Sequence, residues 1–174
     1  MSRLVLDRAH VVTMDQARTE HTTAYVVVDD ARVATVAAGH APEDVRRSAD
    51  RVVDATGCVL TPGFVNTHQH LYQWATRGEA VDSTLFQWLT ALYPVWAGID
   101  EETGRAAASA ALGWLARTGC TTSTDHHYVF PRGGGDLLAA EVSAAAAVGL
   151  RFHPTRGSMD LGASQGGLPP DSVV

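Results

Sequence analysis

Thr61-Pro62-Gly63-Phe64-Val65-Asn66-Thr67-His68-Gln69-His70 is the stretch on which the fold turns. Turn residues open it, an apolar run follows, and two histidines separated by one residue close it. A continuous run of this kind suits a strand buried on both faces, as in a parallel sheet. Side chains two apart on a strand share a side, so His68 and His70 project together from the strand's end. Two imidazoles so placed can share one metal ion. In a parallel barrel the carboxyl ends of the strands form the active-site mouth, where ligands and catalysts collect. The plain alternative is a pair of hydrogen-bonded histidines in a loop.

Downstream, Leu85 to Tyr93 reads as helical, and Asp100 is an N-cap candidate for a helix over Glu101 to Thr118 that Gly119 ends. Cys120 to Thr124 is β-branched and strand-like. Asp136 to Val148 is helical again with Gly149 as its stop, and Leu150 to Thr155 reads as a third strand. The order strand, helices, strand, helix, strand implies repeated βα units on a parallel sheet. That suits the opening of a (β/α) barrel or a doubly wound sheet, and pattern alone does not choose between them. Upstream, from Leu4 to Leu60, short β-rich runs (LVL, HVVTM, TAYVVV, RVATV) are separated by turn material. The hairpin AYVVVDDARVATV, with Asp29 and Asp30 at the bend, is the clearest unit of a small, structural sheet.

The chain has 174 residues, 45% hydrophobic and 18% charged, which allows one domain or parts of two with a real core. A net charge of -6 without Lys or Arg runs argues against nucleic acid or another polyanion as partner. No apolar run reaches the roughly 18 residues of a membrane span, and Arg3, Asp7, Arg8 and His10 interrupt the N-terminal apolar residues, so a cytoplasmic protein is expected. Cys58 and Cys120, each in an apolar, strand-like setting, read as reduced buried thiols.

The run T-P-G-F-V-N-T-H-Q-H-L-Y-Q resembles the first-strand signature of the amidohydrolase superfamily, P-G-x-[VI]-[ND]-x-H-x-H. Similarity continues through L-F-x-W-L-x-x-L-Y-P-V-W, G-C-T-T-S-T-D-H-H-Y-V-F-P, T-R-G-S-M-x-L-G and G-G-L-P-P-D-S-V. Together these are similar to the 8-oxoguanine deaminase group within the cytosine and guanine deaminase-like branch. The triazine and adenosine-type deaminases share the H-x-H with weaker similarity elsewhere. The resemblance implies an α/β fold, the N-terminal part of a metal-dependent hydrolase (β/α)8 TIM-like barrel preceded by a small β-sandwich segment. Residues 1–60 would supply the N-terminal share of the sandwich, and residues 61–174 the first three βα units. It also implies one divalent metal ion, zinc by expectation, held by His68 and His70 and by two histidines and an aspartate from later strands. A metal lowers the pKa of its water toward ~7, making a nucleophile available for hydrolytic displacement of ammonia from a heterocycle. The family's general acid/base glutamate and aspartate are expected beyond this stretch, and Glu79, Glu101, Glu102 and Glu141 do not replace them. A barrel takes about 250 residues, so a truncated, inactive or partner-dependent fragment with an unpaired sheet edge stands as the alternative reading. Relatives of this kind are commonly homo-oligomers.

The resemblance makes Gln73, three residues beyond His70, the best substrate contact, since its amide can both donate to and accept from a purine-like edge. Asp125-His126-His127-Tyr128 ends the second strand at the same mouth. Adjacent His126 and His127 face opposite sides, so at most one reaches the site, and His127 is the candidate substrate contact or support for the metal. Arg156 can hold a carbonyl or an anionic tautomer, or else pair with Asp125 or Asp160. Ser158 is a weaker candidate. Trp74, Trp88, Tyr93 and Trp96 can roof a flat heterocycle, but packing is the expectation for Trp88 and Trp96.

Overall fold

β-Branched runs and Ala-rich runs sort into separate elements along the chain, and the computed structural model, which describes residues 2–174, divides into two compact units, Met1–Pro62 and Gly63–Val174. In the first unit, β1 (Arg3–Val12), β2 (Glu20–Asp29), β3 (Arg32–Ala38), β4 (Arg51–Asp54) and β5 (Val59–Leu60) form one sheet. Its order is β3-β2-β1-β4, with β5 also on β1; β2 runs antiparallel to β1 and β3, and β4 and β5 run parallel to β1. The β2–β3 hairpin turns at Asp30, whose φ of 53° lies in the left-handed region that Asp tolerates better than most residues. Val5 and Val27 pack under Ala41 on one face beside the short helix α1 (Glu43–Arg47), while Ala9, Val11, Ala24 and Val26 cluster together.

Asp7 sits fully buried in β1, where an apolar residue would be the norm. It is satisfied there: its carboxylate takes the Ala41 N–H at 2.9 Å and the Arg46 guanidinium at 2.6 Å. The cysteine reading needs one correction. Cys120 is buried, but Cys58 is exposed, because the turn at Gly57 (φ 78°) lifts it out between β4 and β5.

In the second unit, β6 (Phe64–Asn66), β7 (Cys120–His127) and β8 (Arg151–Arg156) form a parallel sheet in that order. Between them come a 3-10 turn (Leu71–Thr76) and the helices α2 (Leu85–Trp96), α3 (Glu101–Arg117) and α4 (Leu137–Val148). The order is the one read from the sequence. Helix starts are set by side chains that satisfy orphan amide donors: Thr84 and Gln87 form a reciprocal capping box, Asp100 accepts from Thr103, and Asp136 accepts from Ala139. Gly149 ends α4 at φ 85°. Ala108 and Ala111 of α3 pack with Ala144 and Ala145 of α4, while Tyr72, Leu92, Tyr93, Trp96 and Val129 form a second, aromatic core.

Two expectations change here. The strand before the histidines is short and borders the sheet, with Phe64 62% and Val65 63% exposed, so it is not buried on both faces by this stretch of chain. The α2 helix runs three residues past Tyr93, through Pro94, because Ala97 donates to Tyr93 O at 2.9 Å and fully buried Trp96 anchors the last turn. Among the described residues no helix is long and apolar enough to cross a membrane.

Candidate metal centre

β6 stops at Asn66, and His68 and His70 lie in the irregular stretch that follows it, ahead of the 3-10 turn. Their Nε2 atoms face one another at 3.3 Å, with the rings edge to face. His70 Nδ1 donates to the backbone carbonyl of His126 at 2.8 Å, which assigns its proton to Nδ1 and leaves the Nε2 lone pair outward. Burial pushes the His70 imidazole below its ordinary pKa, so the ring is neutral at neutral pH. Two nitrogens bound to one tetrahedral zinc at about 2.0–2.1 Å stand about 3.3 Å apart. The donor set therefore fits a divalent ion with imidazole affinity, as two of its ligands.

What holds the H-x-H segment is the end of β7. The His126 N–H donates to Gln69 O at 2.8 Å, its carbonyl takes His70 Nδ1, and its ring Nε2 lies 3.2 Å from Thr67 O. One residue back, Asp125 Oδ1 accepts the Leu71 N–H at 2.6 Å. Residues 67 to 71 are thus bonded at four points to the dipeptide Asp125–His126. On its other side, Gly63 packs so tightly on β7 that a Cβ there would collide with the Thr121 side chain.

The expectation for His127 needs correction. His126 is the residue whose ring stands near both metal candidates, at 5.6 and 5.9 Å between centroids. His127 faces the opposite side, fully buried, with Nδ1 2.7 Å from Glu141 Oε1 and Nε2 2.8 Å from Val129 O. No ring nitrogen is left for a substrate. Alternation along β7 sets the two rings on opposite sides, but does not say which of them lies beside His68 and His70. Gln73 lies on the 3-10 turn, its amide nitrogen 3.4 Å from Tyr72 Oη and 3.5 Å from Tyr128 Oη. With His70, Gln69, Trp74, Thr76 and Trp88 it lines an open cavity of ≈ 590 Å³. Arg156 is exposed and stacks 4.4 Å over Phe130, and it forms no ion pair with Asp125 or Asp160. Trp96 is packed in the core, its indole N–H donating to Thr76 Oγ1 at 3.0 Å, and Trp88 packs against it.

Glu141, dismissed by helix position, is the residue sequence reasoning missed. It sits fully buried with Asp125 and His127, their potential ligand atoms within 4.8 Å of one another. A signal existed: on LLAAEVSAAAAV, Glu141 falls on the same face as Leu137, Ala144 and Ala145, a lone charge within an apolar stripe.

Comparison with known proteins adds the following. The model of the amidohydrolase family matches residues 59–172. The chain is 43% identical over 152 residues to 8-oxoguanine deaminase of Pseudomonas aeruginosa, covering 86% of this chain and 33% of the relative. It is 28% identical to a 5'-deoxyadenosine deaminase of Methanosarcina mazei, over 92% of this chain and 34% of that protein. The chain thus spans about a third of the length of these relatives. Its fold superposes on an atrazine chlorohydrolase of Arthrobacter aurescens TC1 solved with zinc, at a TM-score of 0.86 and 31% identity, covering 98% of this chain and 39% of that one.

Proposed function

The chain belongs to the amidohydrolase family, and on that premise we propose that it forms the opening portion of a metal-dependent aminohydrolase acting on a purine-like heterocycle of the 8-oxoguanine type. Residues 61–174 are the first three βα units of a (β/α)8 barrel, and residues 1–60 the N-terminal share of a β-sandwich. The whole protein works in the cytoplasm on a small heterocycle and forms homo-oligomers. His68 and His70 supply two ligands to one divalent ion, zinc in the first instance. The remaining ligands, and the carboxylates that move protons, belong to the part of the relatives' length that this chain does not span.

The facing Nε2 atoms of His68 and His70 at 3.3 Å, with the His70 tautomer set by a backbone carbonyl, carry this reading. The ion supplies Lewis acidity, which makes a water nucleophile available at neutral pH. The ring carbon gains a C–O bond and loses its exocyclic C–N bond; one proton of the water leaves on ammonia and the other ends on the adjacent ring nitrogen. Gln73 orients the heterocycle, since its amide presents a donor and an acceptor beside the cavity wall. Trp74 and Trp88 give that wall apolar surface that limits water. Arg156, exposed on the strand-end side of β8, supplies a cation for a substrate carbonyl or anionic tautomer.

The test uses the 174-residue chain titrated with Zn2+ or Co2+. Wild type takes up one ion, and His68→Ala/His70→Ala weakens uptake by more than about 100-fold. Uptake unchanged in the double variant would sink the proposal. A second reading, a triazine or adenosine-type hydrolase, draws on the fold match to the atrazine enzyme. Ammonia release from 8-oxoguanine against chloride release from a chlorotriazine, by the whole protein, separates the two. A third reading, that the 174-residue chain is catalytically silent without the rest of the barrel, predicts metal uptake without turnover.

A further inference from the structure

Asp125, His127 and Glu141 form a cluster sealed from solvent behind the histidine pair. Asp125 Oδ1 accepts the Leu71 amide, His127 Nε2 meets Val129 O, and His127 Nδ1 meets Glu141 Oε1. Two atoms remain without partners, Asp125 Oδ2 and Glu141 Oε2. Two ionised carboxylates this close, both fully buried, repel each other and each lose hydration, which a single imidazolium does not offset. Two orphaned oxygens also each cost the energy of an unmade hydrogen bond.

One proton removes both problems. We infer that Asp125 is held as a neutral carboxylic acid, donating from Oδ2 to Glu141 Oε2, and that this closes a hydrogen-bond chain from His127 to the backbone just after His70. His127 Nε2–H donates to Val129 O and its Nδ1–H donates to Glu141 Oε1. Glu141, as the carboxylate, receives Asp125 on its other oxygen, and Asp125 Oδ1 receives the Leu71 N–H. Every polar atom is then satisfied and the cluster carries no net charge: one imidazolium, one carboxylate, one acid. Burial foremost, and then the Glu141 charge, raise the Asp125 carboxyl to about 7. Burial would lower His127, but the Glu141 hydrogen bond and charge carry it above its ordinary value. Asp125 is thereby a positioning residue: through Leu71 it ties the turn that follows His70 to β7, and through Glu141 to α4. This deepens the metal reading given above, but the proton's location stands on the fold alone.

The proton assignment is testable by two isosteric substitutions in the 174-residue chain. Asp125→Asn keeps an acceptor for Leu71 and a donor for Glu141, so near pH 4, before the unfolded wild-type carboxyl has lost its proton, the thermal midpoint moves by less than about 2 °C. Glu141→Gln turns an amide N–H toward Asp125 Oδ2, so in that variant Asp125 gives up its proton and becomes the carboxylate that balances the imidazolium. The carbon-13 shift of the Asp125 carboxyl at pH 6 decides: a protonated acid is expected in wild type and an ionised one in Glu141→Gln. An ionised Asp125 in wild type overturns the inference, and that measurement stands alone should Glu141→Gln fail to fold. The positioning role is read separately by Co2+ titration. Asp125→Asn binds like wild type, and Asp125→Ala binds about tenfold more weakly with a displaced Leu71 amide resonance; equal binding by both variants sinks that role. If wild type itself takes up no Co2+, two-histidine binding by this chain fails while the carbon-13 shift still tests the proton.

Discussion

At the residue scale, the centre depends on which nitrogen of each ring carries a proton. His126 contributes both backbone and ring to the H-x-H segment, and only the ring contact to Thr67 is lost on substitution. His126→Ala is therefore expected to weaken Zn2+ binding by about 10-fold, less than loss of His70, as measured by competition with a chromophoric chelator. A second prediction concerns pH. The folded chain holds the Asp125 proton up to about 7, against 3.8 in the unfolded chain, so stability from this group is fully present below about 4 and falls as pH rises toward 7. His127, raised when folded, acts in the same direction, its contribution being lost as pH rises through its folded value. The Asp100 carboxylate, lowered by its backbone hydrogen bond to Thr103, opposes this at acid pH. Subtracting the Asp125→Asn profile from wild type isolates the Asp125 share. Denaturant midpoints measured from pH 4 to 8 should show wild type falling relative to the variant, and parallel profiles would contradict it.

At the scale of elements, the sequence was most legible where local chemistry sets a boundary. Asp100, Asp136, Gly119 and Gly149 each mark an end by a capping bond or a left-handed φ, and such signals need only neighbours in the chain. Asp100→Ala should cost about 1 kcal/mol, read by urea unfolding, since it strips the acceptor from the α3 amides. The end of α2 was less legible. Pro94 is a breaker by local rules, and only the burial of Tyr93 and Trp96 in the aromatic core carries the helix past it. Gly63 belongs to the same class of tertiary constraint. Gly63→Ala should destabilise the second unit by about 1–3 kcal/mol through its clash with Thr121, and Thr121→Ala in the same chain should restore only part of that loss, because the Thr121 Cβ still stands 2.8 Å from the added Cβ.

For the molecule as a whole, the apolar surface matters most. Phe64, Val65, Leu85, Phe86 and Trp114 are each more than half exposed in the second unit, and the parallel sheet of β6, β7 and β8 pairs β6 and β8 on one side only. Edges and patches of this kind promote association. Phe64→Ser/Val65→Thr should therefore reduce concentration-dependent light scattering by the 174-residue chain without lowering its Zn2+ uptake, since neither side chain touches a histidine contact.

The sequence by itself determined the order of elements, the caps, and the pairing of His68 with His70 on one side, because periodicity and capping act between residues a few positions apart. The tertiary structure decided that His126 faces the centre while His127 turns inward to Glu141, and that Arg156 stacks on Phe130 instead of joining an ion pair. Alternation states that neighbours on a strand point to opposite faces, but which face is the mouth depends on the helix that packs behind it. A contact such as Asp125 to Leu71, 54 residues apart, is set by the register of β7 against the chain following β6, which has no local signature.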